Sequence, residues 1–81
     1  MRVFISADIE GCAWTTAWEE TQKGQPEYPA AVKQMTAEVK AACEGAIAAG
    51  ATEIVIKDAH GRGVNIDITR NTCNISKINY Y

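Results

Sequence analysis

Long hydrophobic runs are missing from this sequence. Its longest purely apolar stretch is a few residues, far short of the roughly 20 needed to cross a bilayer, and the start of the chain lacks the basic opening, apolar segment and cleavage site of a signal peptide. A cytoplasmic protein with no membrane partner is therefore expected. An excess of one charge is missing too. Eight Lys and Arg against ten Asp and Glu leave a net charge of −2, and the basic residues are scattered. That leaves no electrostatic footprint for a nucleic-acid partner. Cysteine is sparse: Cys12, Cys43 and Cys73 are widely spaced, with no C-x-x-C pair. Neither a disulfide framework nor a cysteine zinc site is indicated, so the three read as reduced thiols. Only two prolines and six glycines are present, which excludes a collagen-like repeat, while 47% hydrophobic and 22% charged residues argue against disorder. At 81 residues, the chain fits one small domain at most. It contains a single histidine, His60.

What is present is a strand, a helix and a second strand. Arg2 to Ala7 is a short run rich in β-branched and aromatic residues that meets the polar Asp8 and Glu10 and then Gly11, as a buried strand entering a loop does. Gly11 to Glu27 has no sustained period and is punctuated at its end by Gly24, Pro26 and Pro29, which predicts a long functional loop. One helical turn there would bring Trp14 and Trp18 onto the same side. These two indoles read more readily as loop packing or interface anchors than as substrate platforms. From Tyr28 to Ala49 the apolar positions Tyr28, Val32, Met35, Val39, Ala42, Cys43, Ala46 and Ile47 recur at steps of three and four, which predicts an alanine-rich amphipathic helix capped by Gly50. Thr52 to Lys57 is the second strand, leading into Asp58-Ala59-His60-Gly61. The tail from Asn65 holds all four asparagines, with a short strand expected near Ile75 to Tyr80.

A strand, crossover helix and strand of these lengths predict parallel pairing in a right-handed βαβ unit, hence an α/β fold. Asp8 and Glu10 then follow the carboxyl end of one strand and Asp58 and His60 that of its neighbour, where open α/β sheets build their sites. Within each pair the i, i+2 spacing points both side chains to one side if the extended backbone persists, so four ionisable groups are expected to converge. Oxygen and nitrogen donors from Asp, Glu and His suit zinc, and also manganese or cobalt. Such an ion lowers the pKa of water toward neutrality and polarises a carbonyl. Taken singly, each carboxylate reads more readily as a loop or turn cap and His60 as an ordinary loop histidine. As a set they favour a metal, because charged groups directly after apolar strands are costly unless paired or coordinated. Gly11, Gly61 and Gly63 suit sharp turns beside a site, yet Gly61-Arg62-Gly63 has no phosphate-loop spacing. Cys12 reads as a small buried residue rather than a nucleophile, since its one histidine partner would be His60.

Phe-Ile-Ser-Ala-Asp-Ile-Glu-Gly (Phe4 to Gly11), followed by an amphipathic helix and by Ile-Val-Ile-Lys-Asp-Ala-His-Gly (Ile54 to Gly61), resembles the N-terminal portion of the M55 peptidases, the D-aminopeptidase family. The resemblance covers Met1 to Asp67. It implies an α/β fold with a two-zinc site, cleavage of N-terminal residues from short peptides or amides, typically of D-amino acids, and large ring-like homo-oligomers. Carried over by motif, Asp8 would bridge two metals, Glu10 and His60 would complete the first, and Asp58 would orient the site from outside the ligand set. The family completes its second metal with a further histidine and a glutamate from later strands, and no second histidine occurs here.

The leading expectation is thus the N-terminal part of a larger open-sheet α/β domain, with residues 1–67 family-like and 68–81 a divergent tail. Its function would be that of a zinc aminopeptidase using metal-activated water, weak or inactive in this chain alone. One alternative is a non-catalytic βαβ module that binds metal or assembles with other copies. A second is a magnesium-dependent phosphatase of the haloacid-dehalogenase type, in which Asp8 attacks phosphate.

Overall fold

The computed structural model describes residues 1–70 and 78–80. In chain order the elements are β1 (Arg2–Ala7), α1 (Tyr28–Ala48), β2 (Glu53–Asp58) and β3 (Ile78–Tyr80), with two 3₁₀ turns, Ile9–Gly11 and Trp18–Thr21, between β1 and α1. β1 and β2 pair in parallel from Arg2 opposite Glu53 to Ala7 opposite Asp58. β3 lies parallel on the far side of β2, giving the order β1-β2-β3. The expected parallel βαβ unit is what forms, extended by a third strand within the stretch anticipated for the tail. Positions 75–77 of that stretch lie outside the described residues, as does Cys73.

Burial follows the two periods written in the sequence. Along β2 the residues Ile54, Ile56 and Asp58 are buried and their neighbours are not; along β1, Val3, Ile5 and Ala7 lie on that same side. α1 covers this face with Val39 and Cys43, and the resulting core takes in Ala51, Ile54 and Ile56. A second cluster, Ile9, Ala31 and Met35, packs the other half of α1 beneath the loop that follows β1. Ile66 contacts both clusters. The opposite face of the sheet is uncovered by any helix among the described residues, and Phe4 on it is 58% exposed.

The helix ends are set by their chemistry. Pro29 sits in the first turn, where a missing N–H leaves no hydrogen bond unmade. At the far end Gly50 adopts φ +104°, its N–H donates to the Ile47 carbonyl and that of Ala51 to the Ala46 carbonyl, both at 3.0 Å. This is a Schellman closure, and it turns the chain back into β2. No helix among the described residues is long and apolar enough to cross a membrane.

Candidate metal centre

The end of β1 places two carboxylates through one buried residue. Asp8 remains extended (φ −136°, ψ 132°), but the chain then tightens into the 3₁₀ turn Ile9–Gly11. Ile9 is fully buried against Ala31 and Met35. Burying that one apolar side chain leaves its two acidic neighbours at the surface, so Asp8 and Glu10 meet by way of a turn and not through continued extended backbone. On the neighbouring strand the Ala59 N–H donates to the Ala7 carbonyl at 2.7 Å. That bond carries the strand pairing one residue past Asp58 and sets His60 opposite the turn. Its Nδ1 lies 2.8 Å from Glu10 Oε1 and 3.3 Å from Asp8 Oδ1. The three donor atoms all fall within 4.8 Å of one another.

Three of the four expected groups converge; Asp58 does not join them. Its carboxylate is buried at 7% exposure and accepts from the Asn65 N–H at 2.6 Å, the Ile66 N–H at 2.7 Å and the Asn65 side-chain amide at 2.9 Å. The same carboxylate is 3.4 Å from the His60 N–H, and Asn65 Nδ2 donates to the His60 carbonyl at 2.6 Å. Asp58 and Asn65 thus hold the backbone of His60 from both sides without touching its ring. Burial pushes the Asp58 carboxyl up, but the Asn65 amide and the N–H groups of Ile66, Asn65 and His60 outweigh it and hold the group below its usual range. Within this loop Gly63 is at φ +74°, and a Cβ there would sit 2.9 Å from the Asp58 carbonyl oxygen. Gly11, by contrast, has open space around it.

The imidazole is oriented by a residue that the sequence did not single out. His60 Nε2 lies 2.6 Å from the Thr21 carbonyl oxygen. A carbonyl can only accept, so Nε2 carries the proton and Nδ1 is turned toward the two carboxylates. A lone pair aimed at anionic oxygens is unfavourable unless a proton or another cation sits between them. The titration of the three groups reflects this need. A hydrogen bond shared between the two carboxyls raises Asp8 and lowers Glu10. Burial of the ring pulls His60 down, yet the Thr21 carbonyl and the Glu10 and Asp8 carboxylates together bring it above its ordinary value. An imidazole whose second nitrogen donates to a carbonyl, facing two carboxylate oxygens, fits the donor chemistry of a divalent metal of the zinc type.

Cys12 is half-buried and its Sγ is 3.5 Å from the Asp8 carbonyl oxygen. Burial, with Glu38, Asp8 and Glu10 nearby, pushes its thiol up to about 11. The thiol stays protonated near neutral pH, which agrees with reading Cys12 as a packing residue and not a nucleophile. The loop differs from expectation at the tryptophans. The helical turn begins at Trp18, Trp14 precedes it at φ +67°, and both indoles are exposed, at 72% and 85%, so neither packs the loop. A backbone carbonyl such as that of Thr21 carries no signal in a sequence. Asn65 had a compositional one, the onset of the asparagine-bearing tail, but nothing that assigned it to Asp58.

Comparison with known families gives a match to the M55 peptidase family model, described as D-aminopeptidase, over residues 1–79. That span takes in both Asp8 and His60 and runs on beyond Asp67. No curated protein and no solved structure matches the chain.

Proposed function

We propose, from the premise that this chain belongs to the M55 peptidase family, the D-aminopeptidases, that Asp8, Glu10 and His60 bind zinc and serve the removal of N-terminal residues from short peptides or amides of D-amino acids. The observation that carries the reading is the meeting of one ligand atom each from Asp8, Glu10 and His60 within 4.8 Å at two adjacent strand ends. When bound there, zinc would supply Lewis acidity toward a scissile carbonyl and a more acidic water. The chain's own residues prepare that position. Thr21 fixes the tautomer and orientation of His60, Asp58 and Asn65 pin the backbone on either side of the ring, and buried Ile9 keeps Asp8 and Glu10 turned outward. Asp58 therefore acts as a positioning residue. A second zinc bridged by Asp8 would require a further histidine from outside these 81 residues, since His60 is the only one in the sequence.

Assembly with further copies is supported by the edge position of β1 in the sheet and by a sheet face that no helix covers among the described residues. We place the protein in the cytoplasm. The phosphatase reading of Asp8 is disfavoured by the peptidase family match and by the imidazole beside the carboxylate. Equilibrium dialysis against zinc tests the proposal. Stoichiometric binding that falls to background in His60→Ala and in Glu10→Gln is expected, and binding that survives both substitutions would refute it.

A further inference from the structure

Beside the three metal-ligand candidates lies a cleft of ≈ 520 Å³ lined by Glu10, Thr15, Thr16, Ala17, Trp18, Glu19 and Thr21. It shares Glu10 with the cluster, and it shares Thr21, whose carbonyl holds His60. Its volume lies in the range of small-molecule sites. From this cleft we infer that Trp18 and Glu19 receive the ammonium group of the substrate's N-terminal residue. This rests on the peptidase reading above and names the part of the substrate held next to the ligand cluster.

The turn that carries both residues is braced on two sides. Glu20 Oε1 accepts from the Thr16 and Ala17 N–H groups at 3.0 and 2.9 Å, which closes the loop before the turn. Thr21 Oγ1 donates to the Trp18 carbonyl at 2.7 Å, while the Thr21 carbonyl accepts from His60. The turn is therefore fixed relative to the imidazole. Having spent Glu20 and Thr21 on holding the backbone, it leaves Trp18 and Glu19 without a structural task. Trp18 is 72% exposed where burial of an indole would ordinarily stabilise the fold. The Glu19 carboxylate makes no hydrogen bond or ion pair among the described residues.

The chemistry of the lining selects one class of group. It contains two carboxylates, three threonines and an indole, and no basic side chain. Such a wall repels a carboxylate and attracts a cation, and the face of tryptophan is the best aromatic partner for an ammonium ion. A primary ammonium seated between Trp18 and Glu19 would direct the carbonyl of its own residue toward Glu10 and His60. A substrate whose amine is blocked would lose that anchor. On this account the cleft reads the free amino end of the substrate, and the two residues determine specificity without acting as zinc ligands.

Calorimetric titration of the zinc-loaded chain with D-alanine amide and with N-acetyl-D-alanine amide tests this, with zinc content measured in every sample. The free amine is expected to bind at least about tenfold more tightly than the acetylated compound, and Glu19→Gln and Trp18→Ala to remove most of that difference while zinc content stays at the unsubstituted level. In Trp14→Gly, which leaves Trp18 as the sole indole, the free amine should quench its fluorescence to saturation. If zinc binds normally but the two compounds bind equally, or neither binds, or Glu19→Gln changes nothing, the inference is overturned and the metal assignment stands. If the unsubstituted chain takes up no zinc, the metal assignment itself fails.

Discussion

Asp58 shows how a residue with the right chemistry in the right place can do a different task. It stands two positions before His60 at the end of β2, as a ligand would, yet its parity along the strand matches Ile54 and Ile56 and turns it into the protein interior. There it accepts the N–H groups of Asn65 and Ile66 and the Asn65 amide. Asp58→Asn replaces an acceptor oxygen by a donor facing those N–H groups, and should destabilise the fold by about 1–3 kcal/mol, read from urea unfolding at neutral pH. The same bonds hold the folded carboxyl below its unfolded value. They therefore contribute stability above the unfolded pKa and lose it as pH falls through the folded one. Acidifying from about pH 5 to pH 2 should lower the melting temperature of the unsubstituted chain more than that of Asp58→Asn; equal slopes would show that Asp58 contributes nothing to acid sensitivity. Which carboxylates belong to the site was thus only partly legible. The i, i+2 spacing was visible, but whether each residue continued the strand depended on Ile9 and on Asn65, both of which act through tertiary packing.

At the scale of elements, β1, α1 and β2 were readable because their periods are unambiguous: alternation in the strands, and steps of three and four through Val32, Met35, Val39 and Cys43. The connections were less so. Glycines that look alike in sequence differ in what they permit, since Gly11 has free space around it while Gly63 combines φ +74° with backbone 2.9 Å from any added Cβ. Gly63→Ala should therefore cost about 1–2 kcal/mol from its left-handed conformation alone, with the close approach to the Asp58 carbonyl adding to it. Gly11→Ala should shift the unfolding midpoint little. Indistinguishable midpoints for the two variants would remove the structural role assigned to the loop after β2. The 3₁₀ turn Trp18–Thr21 was missed in its position because its bracing comes from Glu20 and from His60, 39 residues away from Thr21.

For the molecule as a whole, the chain has a Cα radius of gyration of 12.7 Å and a longest extent of 37 Å. A compact chain of this length would have a radius of about 12 Å, and α1, spanning 21 residues, is itself roughly 32 Å long. The helix sets the long axis and covers one face of a parallel sheet, an architecture whose sheets are ordinarily covered on both. The face that no described helix covers, with Phe4 on its β1 strand, should be met by another copy of the chain. Sedimentation faster than that of a monomer is expected, reverting to monomer in Phe4→Glu; a monomeric unsubstituted chain would end that expectation. Whether Asp8, Glu10 and His60 together hold zinc is decided by X-ray absorption at the zinc edge of the loaded chain. Only nitrogen and oxygen neighbours are expected, at about 2.0–2.2 Å, with the scattering pattern of a single imidazole that disappears in His60→Ala. A sulfur neighbour at about 2.3 Å, or a zinc environment unchanged by that substitution, would contradict it.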